Sequence, residues 1–155
     1  LTAVVRGAAE AEAHGEHPLA IRAADPIEAT FDVVHVTTLV RQLVRNAVAF
    51  SPAEAPIEVA VARGDGEATI EVRDRGPGIP PERREQVFGR FADWRPPGYE
   101  TVPGPGLGLF IARALAHGHG GSISIADAPG GGTMLAARLP LGGVRGTADD
   151  DAADL

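Results

Sequence analysis

The sequence predicts an α/β two-layer sandwich, with helices in one layer and antiparallel hairpins in the other. Residues 33–50, VVHVTTLVRQLVRNAVAF, set Val36, Leu39, Val40, Leu43, Val44, Ala47 and Phe50 at i, i+3, i+4 spacing, which is a helix with one apolar face. Residues 57–63 and 68–73, IEVAVAR and ATIEVR, alternate with period two around GDGE, an Asp-Gly hairpin signal. Residues 122–127 and 133–139, SISIAD and TMLAARL, form a second strand pair around APGGG.

The remaining elements follow in order. LTAVVRGAAEAEAH opens an N-terminal helix, residues 1–15, that is expected to continue from upstream sequence. PLAIRA and IEATFD are strand candidates on either side of ADP. SPAEAP stops the long helix, because proline cannot continue it. DRGPGIPPE is a loop entering a short helix over PERREQVFGRFADW, with proline near its start. RPPGYETVPGPG is a connector, and LGLFIARALAHG a further apolar-faced helix closed by glycine. Residues 16–141 then make one folded domain, and the acidic tail 142–155 is expected to be disordered.

Composition narrows the function. The 155 residues carry a net charge of −7 with no basic block, which argues against nucleic acid or an anionic membrane surface as partner. All 14 basic residues are arginine, so a Walker-type loop, which needs a lysine, is excluded. There is no cysteine, hence no disulfide framework, thiolate metal site or cysteine nucleophile. No apolar run approaches the length of a membrane span and no signal peptide is visible, so a cytoplasmic location is expected, with a parent protein that could itself be membrane-anchored.

Four features stand out from packing needs. Gln42 and Asn46 place two amides on the flank of the apolar stripe, where a buried amide must be hydrogen-bonded or must coordinate something. Taken alone, Asn46 reads first as an ordinary, hydrogen-bonded helix asparagine. Asp74 ends a strand and opens RGPG, either as a turn aspartate or as a carboxylate aimed at a donor, with Gly76 and Gly78 allowing close backbone approach. Gly104, Gly106 and Gly108 bare the backbone just before a helix, a geometry that suits anions. The GGGT of residues 130–133 reads as turn glycines before Thr133.

In this order and spacing the boxes resemble the ATP-binding catalytic domain of sensor histidine kinases, within the wider class of gyrase, HSP90 and MutL ATPases. LVRQLVRNAVAFSP resembles the N box, DRGPGIP the G1 box, VFGRF the F box, GPGLGLFIARALAHGHGG the G2 box with its helix, and PGGGTMLAARLP the closing hairpin. The resemblance covers about Asp32 to Pro140. It implies the GHKL (Bergerat) fold, a mixed, mainly antiparallel sheet packed on about three helices. It implies ATP and Mg²⁺ as ligands, with Asn46 on the metal, Asp74 accepting from the adenine amino group and Thr133 beside it. Gly76, Gly78 and Ile79 would line the base. Gly104, Gly106, Leu107, Gly108 and Leu109 would wrap the phosphates, with residues 92–103 as a lid anchored by Phe88 and Phe91. Its implied partners are a histidine-bearing dimerisation domain and, downstream, a response regulator.

Departures from the family pattern matter. Hydrolytic relatives carry a glutamate where this chain has Gln42, which cannot act as a base. Many kinases place a lysine or arginine where Ala49 stands, and a basic residue where Asp93 stands, with Arg95 close enough to substitute. Gln42 and Arg95 are therefore the candidate residues near the phosphates, and no catalytic residue is certain. None of His14, His17, His35, His117 and His119 is followed by an acidic residue, so no phosphoacceptor is expected in this chain. His119 matches the family's structural His-Gly-Gly position. The leading expectation is a histidine-kinase catalytic domain. The alternatives are a nucleotide-binding regulatory module with little transfer activity, or an anti-sigma-factor-type serine kinase, against which the F box and long lid argue.

Overall fold

The computed structural model describes residues 1–13, 17–23 and 25–142. Five strands form a single sheet in the order β1-β2-β3-β5-β4, with β1 Leu19–Ala23, β2 Ile57–Arg63, β3 Glu67–Arg73, β4 Ser122–Asp127 and β5 Thr133–Pro140. β1 runs parallel to β2, and every other pair is antiparallel. Three α-helices accompany the sheet: α1 Thr2–Glu12, α2 Val33–Phe50 and α3 Gly108–Gly118. The parallel pair arises because α2 is the crossover between β1 and β2; both hairpins are antiparallel by construction.

The two layers follow from periodicity. On the strands, Ile57, Val59, Ala68, Ile70, Val72, Leu135, Ala137 and Leu139 share one face and are buried. On α2, Val36, Leu39, Val40, Leu43, Val44 and Ala47 are buried, and Val5, Ala8 and Ala9 of α1 with Ala112 and Ala116 of α3 complete the core. α2 starts where Asp32 Oδ1 accepts from the His35 N–H at 2.9 Å, an N-cap. It stops at Ser51, before Pro52.

His119 joins two neighbouring helices. Its Nδ1 lies 2.9 Å from the Leu115 carbonyl, and the Asp32 N–H donates to its Nε2 at 3.2 Å. A donor Nδ1 and an acceptor Nε2 describe one neutral tautomer that ties the end of α3 to the start of α2. The ring is buried, as befits a structural histidine.

Two expected elements are different. IEATFD is not a strand: its backbone groups are taken singly, Ile27 N–H by Thr2 Oγ1 at 3.0 Å, Ile27 carbonyl by the Leu1 amine at 2.8 Å, and Thr30 N–H by the Leu141 carbonyl at 3.0 Å. With partners on α1 and past β5, no ladder can form. The helix expected over residues 81–94 is two short 3₁₀ turns, Pro81–Arg83 and Gln86–Phe88. Gly89 is extended and Phe91 has a φ of 56°, so the chain leaves helical geometry twice within this stretch. Residues 143–155, nearly the whole acidic tail, lie outside the described residues, as does the linker at 14–16. Among the described residues no helix is long and apolar enough to cross a membrane.

Candidate functional site

A cavity of about 320 Å³ opens between α2, the end of β3, the start of α3 and the segment 92–106. Gln42, Asn46, Asp74, Gly78, Ile79, Thr133, Arg95, Gly104, Gly106, Leu107, Gly108 and Leu109 all line it. Gly76 does not. A Cβ there would overlap the Phe50 carbonyl, so Gly76 stands behind the wall and lets the loop close on the end of α2.

The floor is Asp74, 3% exposed. The last rung between β3 and β5 lies here: Asp74 N–H donates to the Thr133 carbonyl at 3.0 Å. Thr133 N–H returns a bond to Asp74 Oδ1 at 3.0 Å, and Gly76 N–H donates to the same oxygen at 2.8 Å. Both amides converge on Oδ1, which leaves Oδ2 for a ligand. Burial pushes the Asp74 carboxyl above the usual range, and the bonds from Thr133 and Gly76 pull it back only in part. Gly132 makes the rung possible. Its φ is 102°, and a Cβ would overlap the Asp74 carbonyl. In the sequence Gly132 looks like an ordinary turn residue, and the run of three glycines before Thr133 is the one signal that it does more.

The opposite end is the start of α3. Leu107 caps it without a side-chain hydrogen bond, and Leu107, Gly108 and Leu109 line the cavity, which puts the positive end of the helix dipole at its wall. Gln42 Oε1 lies 3.1 Å from where a Gly108 Cβ would stand, which puts that amide at the mouth of α3. Asn46 follows one turn later on the same face. Among the described residues no cluster of three or more carboxylates or histidines could hold a metal. The hard oxygen donor at hand is the Asn46 amide, which suits Mg²⁺ only when ligand oxygens complete the shell.

Residues 92–103 lie over the cavity. Pro96 is buried, and the Tyr99 ring sits 6.0 Å from Phe50. Gly106, with φ 69°, accepts from Ala92 N–H at 3.1 Å, and a Cβ there would overlap Ala92. Arg95 sews this segment together: Nη1 donates to the Ala92 and Trp94 carbonyls at 3.0 and 3.1 Å, Nη2 to Gly104 at 3.3 Å and Nε to Val102 at 3.4 Å. Phe88 is buried under Arg113, whose guanidinium carbon is 4.8 Å from the ring centre. Phe91, expected to anchor the same base, instead points outward at 64% exposure, because its positive φ turns the side chain away. The cavity also includes Arg45, which no pattern in the sequence singles out although it adjoins Asn46 and follows Gln42 by three.

A family model described as histidine kinase-, DNA gyrase B- and HSP90-like ATPase matches residues 31–143. The signal transduction histidine-protein kinase AfsQ2 of Streptomyces coelicolor is 41% identical over 116 residues, 74% of this chain and 21% of the relative. The sensor protein kinase CarS of Pseudomonas aeruginosa is 35% identical over 129 residues, 83% of this chain and 28% of the relative. The chain thus spans less than a third of these relatives. Among solved structures, the mycobacterial sensor histidine kinase MprB superposes with a TM-score of 0.78 at 29% identity, covering 92% of this chain and 95% of that one. Full-length ShkA, solved in complex with AMPPNP, gives 0.76 at 25% identity over 92% of this chain and 30% of that one. With the sheet order, the buried aspartate on the β3–β5 rung and the glycine-framed helix start already established, the match over residues 31–143 means that the chain belongs to the histidine kinase-, DNA gyrase B- and HSP90-like ATPase family.

Proposed function

We propose that this chain binds ATP with Mg²⁺ and is the catalytic domain of a two-component sensor kinase, passing the γ-phosphoryl group to a histidine on a separate dimerisation domain. The observation that carries the reading is Asp74: a buried carboxylate whose Oδ1 is saturated by two backbone amides and whose Oδ2 can accept from adenine N6. A carboxylate accepts and cannot donate, so it favours adenine's amino group over guanine's carbonyl. Ile79 and Gly78 flank the base, and the glycine-rich start of α3 meets the phosphates with bare amides. Asn46 would hold Mg²⁺ through its amide oxygen, and the ion would supply charge neutralisation along the phosphates. In the transfer, the bond from the γ-phosphorus to the β–γ bridging oxygen breaks, its electron pair leaves with ADP, and a P–N bond forms to the acceptor imidazole. The chain's own contribution is positioning: Asp74 fixes the base, α3 fixes the phosphates, and residues 92–103 exclude water. The phosphoryl group then passes to a response regulator in the cytoplasm.

A second reading, a nucleotide-binding module with little transfer, is favoured by one observation: Arg95 spends its guanidinium on carbonyls, and Ala49 carries no charge. One experiment separates them. Calorimetry with Mg-ADP should give measurable heat, and labelled ATP with the dimerisation domain should label its histidine. Heat without labelling supports the module. No heat and no thermal shift at millimolar nucleotide removes both.

A further inference from the structure

We propose that Arg45 contacts the phosphates of the bound nucleotide and that Glu12, on α1, tunes this contact by competing for the Arg45 guanidinium; the proposal rests on the nucleotide reading above. Arg45 lines the cavity beside Asn46 and one turn after Gln42, at the edge of α2 between the cavity and α1. Its Nε donates to Glu12 Oε1 at 2.8 Å, while its Nη atoms take no hydrogen bond among the described residues. A guanidinium has five N–H donors in a rigid fork, so the Nη donors remain when Nε is taken, but the fork turns as one unit and aiming it at a phosphate draws Nε away from Glu12. The side chain is 58% exposed.

Glu12 is the fixed partner. Its side chain is only 12% exposed, and Arg41 Nε also donates to it, at 2.9 Å. Burial alone would raise its pKa, but the bonds from Arg45 and Arg41 outweigh that and hold it below the usual carboxylate value. Val5, Ala8 and Ala9 bury α1 in the core, which fixes the carboxylate beside Arg45. One carboxylate between two arginines leaves a single net positive charge next to Asn46. The other cation of the cavity, Arg95, has its donors on carbonyls. Arg45 is therefore the cavity arginine with donors to spare, at the place where Ala49 supplies none. A polyphosphate and Glu12 draw on the same fork, so nucleotide affinity and the seating of α1 are linked.

The test is calorimetry of the full 155-residue chain with adenosine, Mg-ADP and Mg-ATP. Arg45→Ala should weaken ADP and ATP by about three- to tenfold, a charge-assisted contact discounted for an exposed side chain, and leave adenosine unchanged. Arg45→Lys should restore part of the loss. Glu12→Gln should act in the opposite direction, tightening ATP by a similar factor, and should do nothing in the Arg45→Ala background. If Glu12→Gln loosens α1, seen as a lowered melting temperature without ligand, Arg41→Ala replaces it: Glu12 is left to Arg45 alone, and ATP weakens while adenosine does not. An unchanged ATP-to-adenosine ratio in Arg45→Ala, or a Glu12 effect that survives in that background, overturns the proposal and leaves the nucleotide reading intact. Absence of binding by all three ligands to the wild-type chain overturns both.

Discussion

Asp74 and Thr133 bond to each other twice, once through the backbone rung at 3.0 Å and once from Thr133 N–H to Asp74 Oδ1 at 3.0 Å. The side chain is thereby locked in orientation by the sheet that carries it. This lock makes Asp74→Asn informative. The two amides that hold Oδ1 require an acceptor there, so the new NH₂ is forced toward the cavity, donor against the adenine donor. Adenine nucleotides should weaken about ten- to hundredfold, the range for losing a bond to a charged group. The ratio of guanine to adenine nucleotide affinity should rise, because the amide can donate to guanine O6. Competition titration checks both, and equal affinities before and after substitution would place the base elsewhere.

The raised Asp74 pKa has a signed consequence for stability without ligand. Burial favours the protonated form in the folded chain. Between its unfolded value and its raised folded value the folded state holds more proton than the unfolded state. Stability therefore falls as pH rises through that window and is flat above it. Asp74→Asn lacks this loss. Urea melts should show wild type losing ground against Asp74→Asn as pH climbs from the ordinary carboxylate value of 3.8 and the gap levelling above the folded pKa. A gap that widens as pH falls would reverse the assigned sign.

Much of this was legible from periodicity and bare spacing. α2 was visible because an i, i+3, i+4 stripe is a local property, and the β2–β3 hairpin because alternation and Asp-Gly need no distant partner. Asn46 and Asp74 were visible because polar groups interrupt apolar patterns. What failed depends on distances between segments far apart in the chain. IEATFD has strand composition, but Thr2 and Leu141 take its backbone groups. Phe91 reads as a core aromatic until its φ of 56° turns it outward. Arg95 reads as a phosphate contact until its four carbonyl partners are counted. Arg45 and Gly132 matter only through what the fold brings beside them.

Gly131 and Gly132 offer a controlled comparison. Both have positive φ, 101° and 102°, so alanine at either carries similar backbone strain, about 1–2 kcal/mol. A Cβ at Gly131 meets nothing within 4 Å, whereas one at Gly132 overlaps the Asp74 carbonyl. Gly132→Ala should therefore lose more than about 1 kcal/mol beyond Gly131→Ala, the scale of an overpacking clash, and should weaken adenosine as well. Urea unfolding and adenosine titration of the pair check this. Equal losses would mean that the rung does not depend on close approach.

Gln42 decides what the chain does with ATP when no acceptor histidine is present. Its Oε1 lies at the mouth of α3, 3.1 Å from the Gly108 Cβ position, next to where the terminal phosphates would meet the free amides. An amide cannot take a proton from water at any working pH. The wild-type chain should therefore hydrolyse ATP very slowly. Gln42→Glu places a carboxylate at the same spot, and the positive end of the α3 dipole favours its ionised form. General-base assistance is worth about 10²–10⁴ in rate, so hydrolysis should rise toward that range if the bound phosphates and an in-line water stand as the cavity suggests. Phosphate release measured at saturating Mg-ATP checks it, with Gln42→Asn, a shorter amide, as the control that should stay slow. A brisk wild-type rate would mean that another group positions the water. A Gln42→Glu rate equal to wild type, with ATP still bound, would favour the binding-module reading over the kinase.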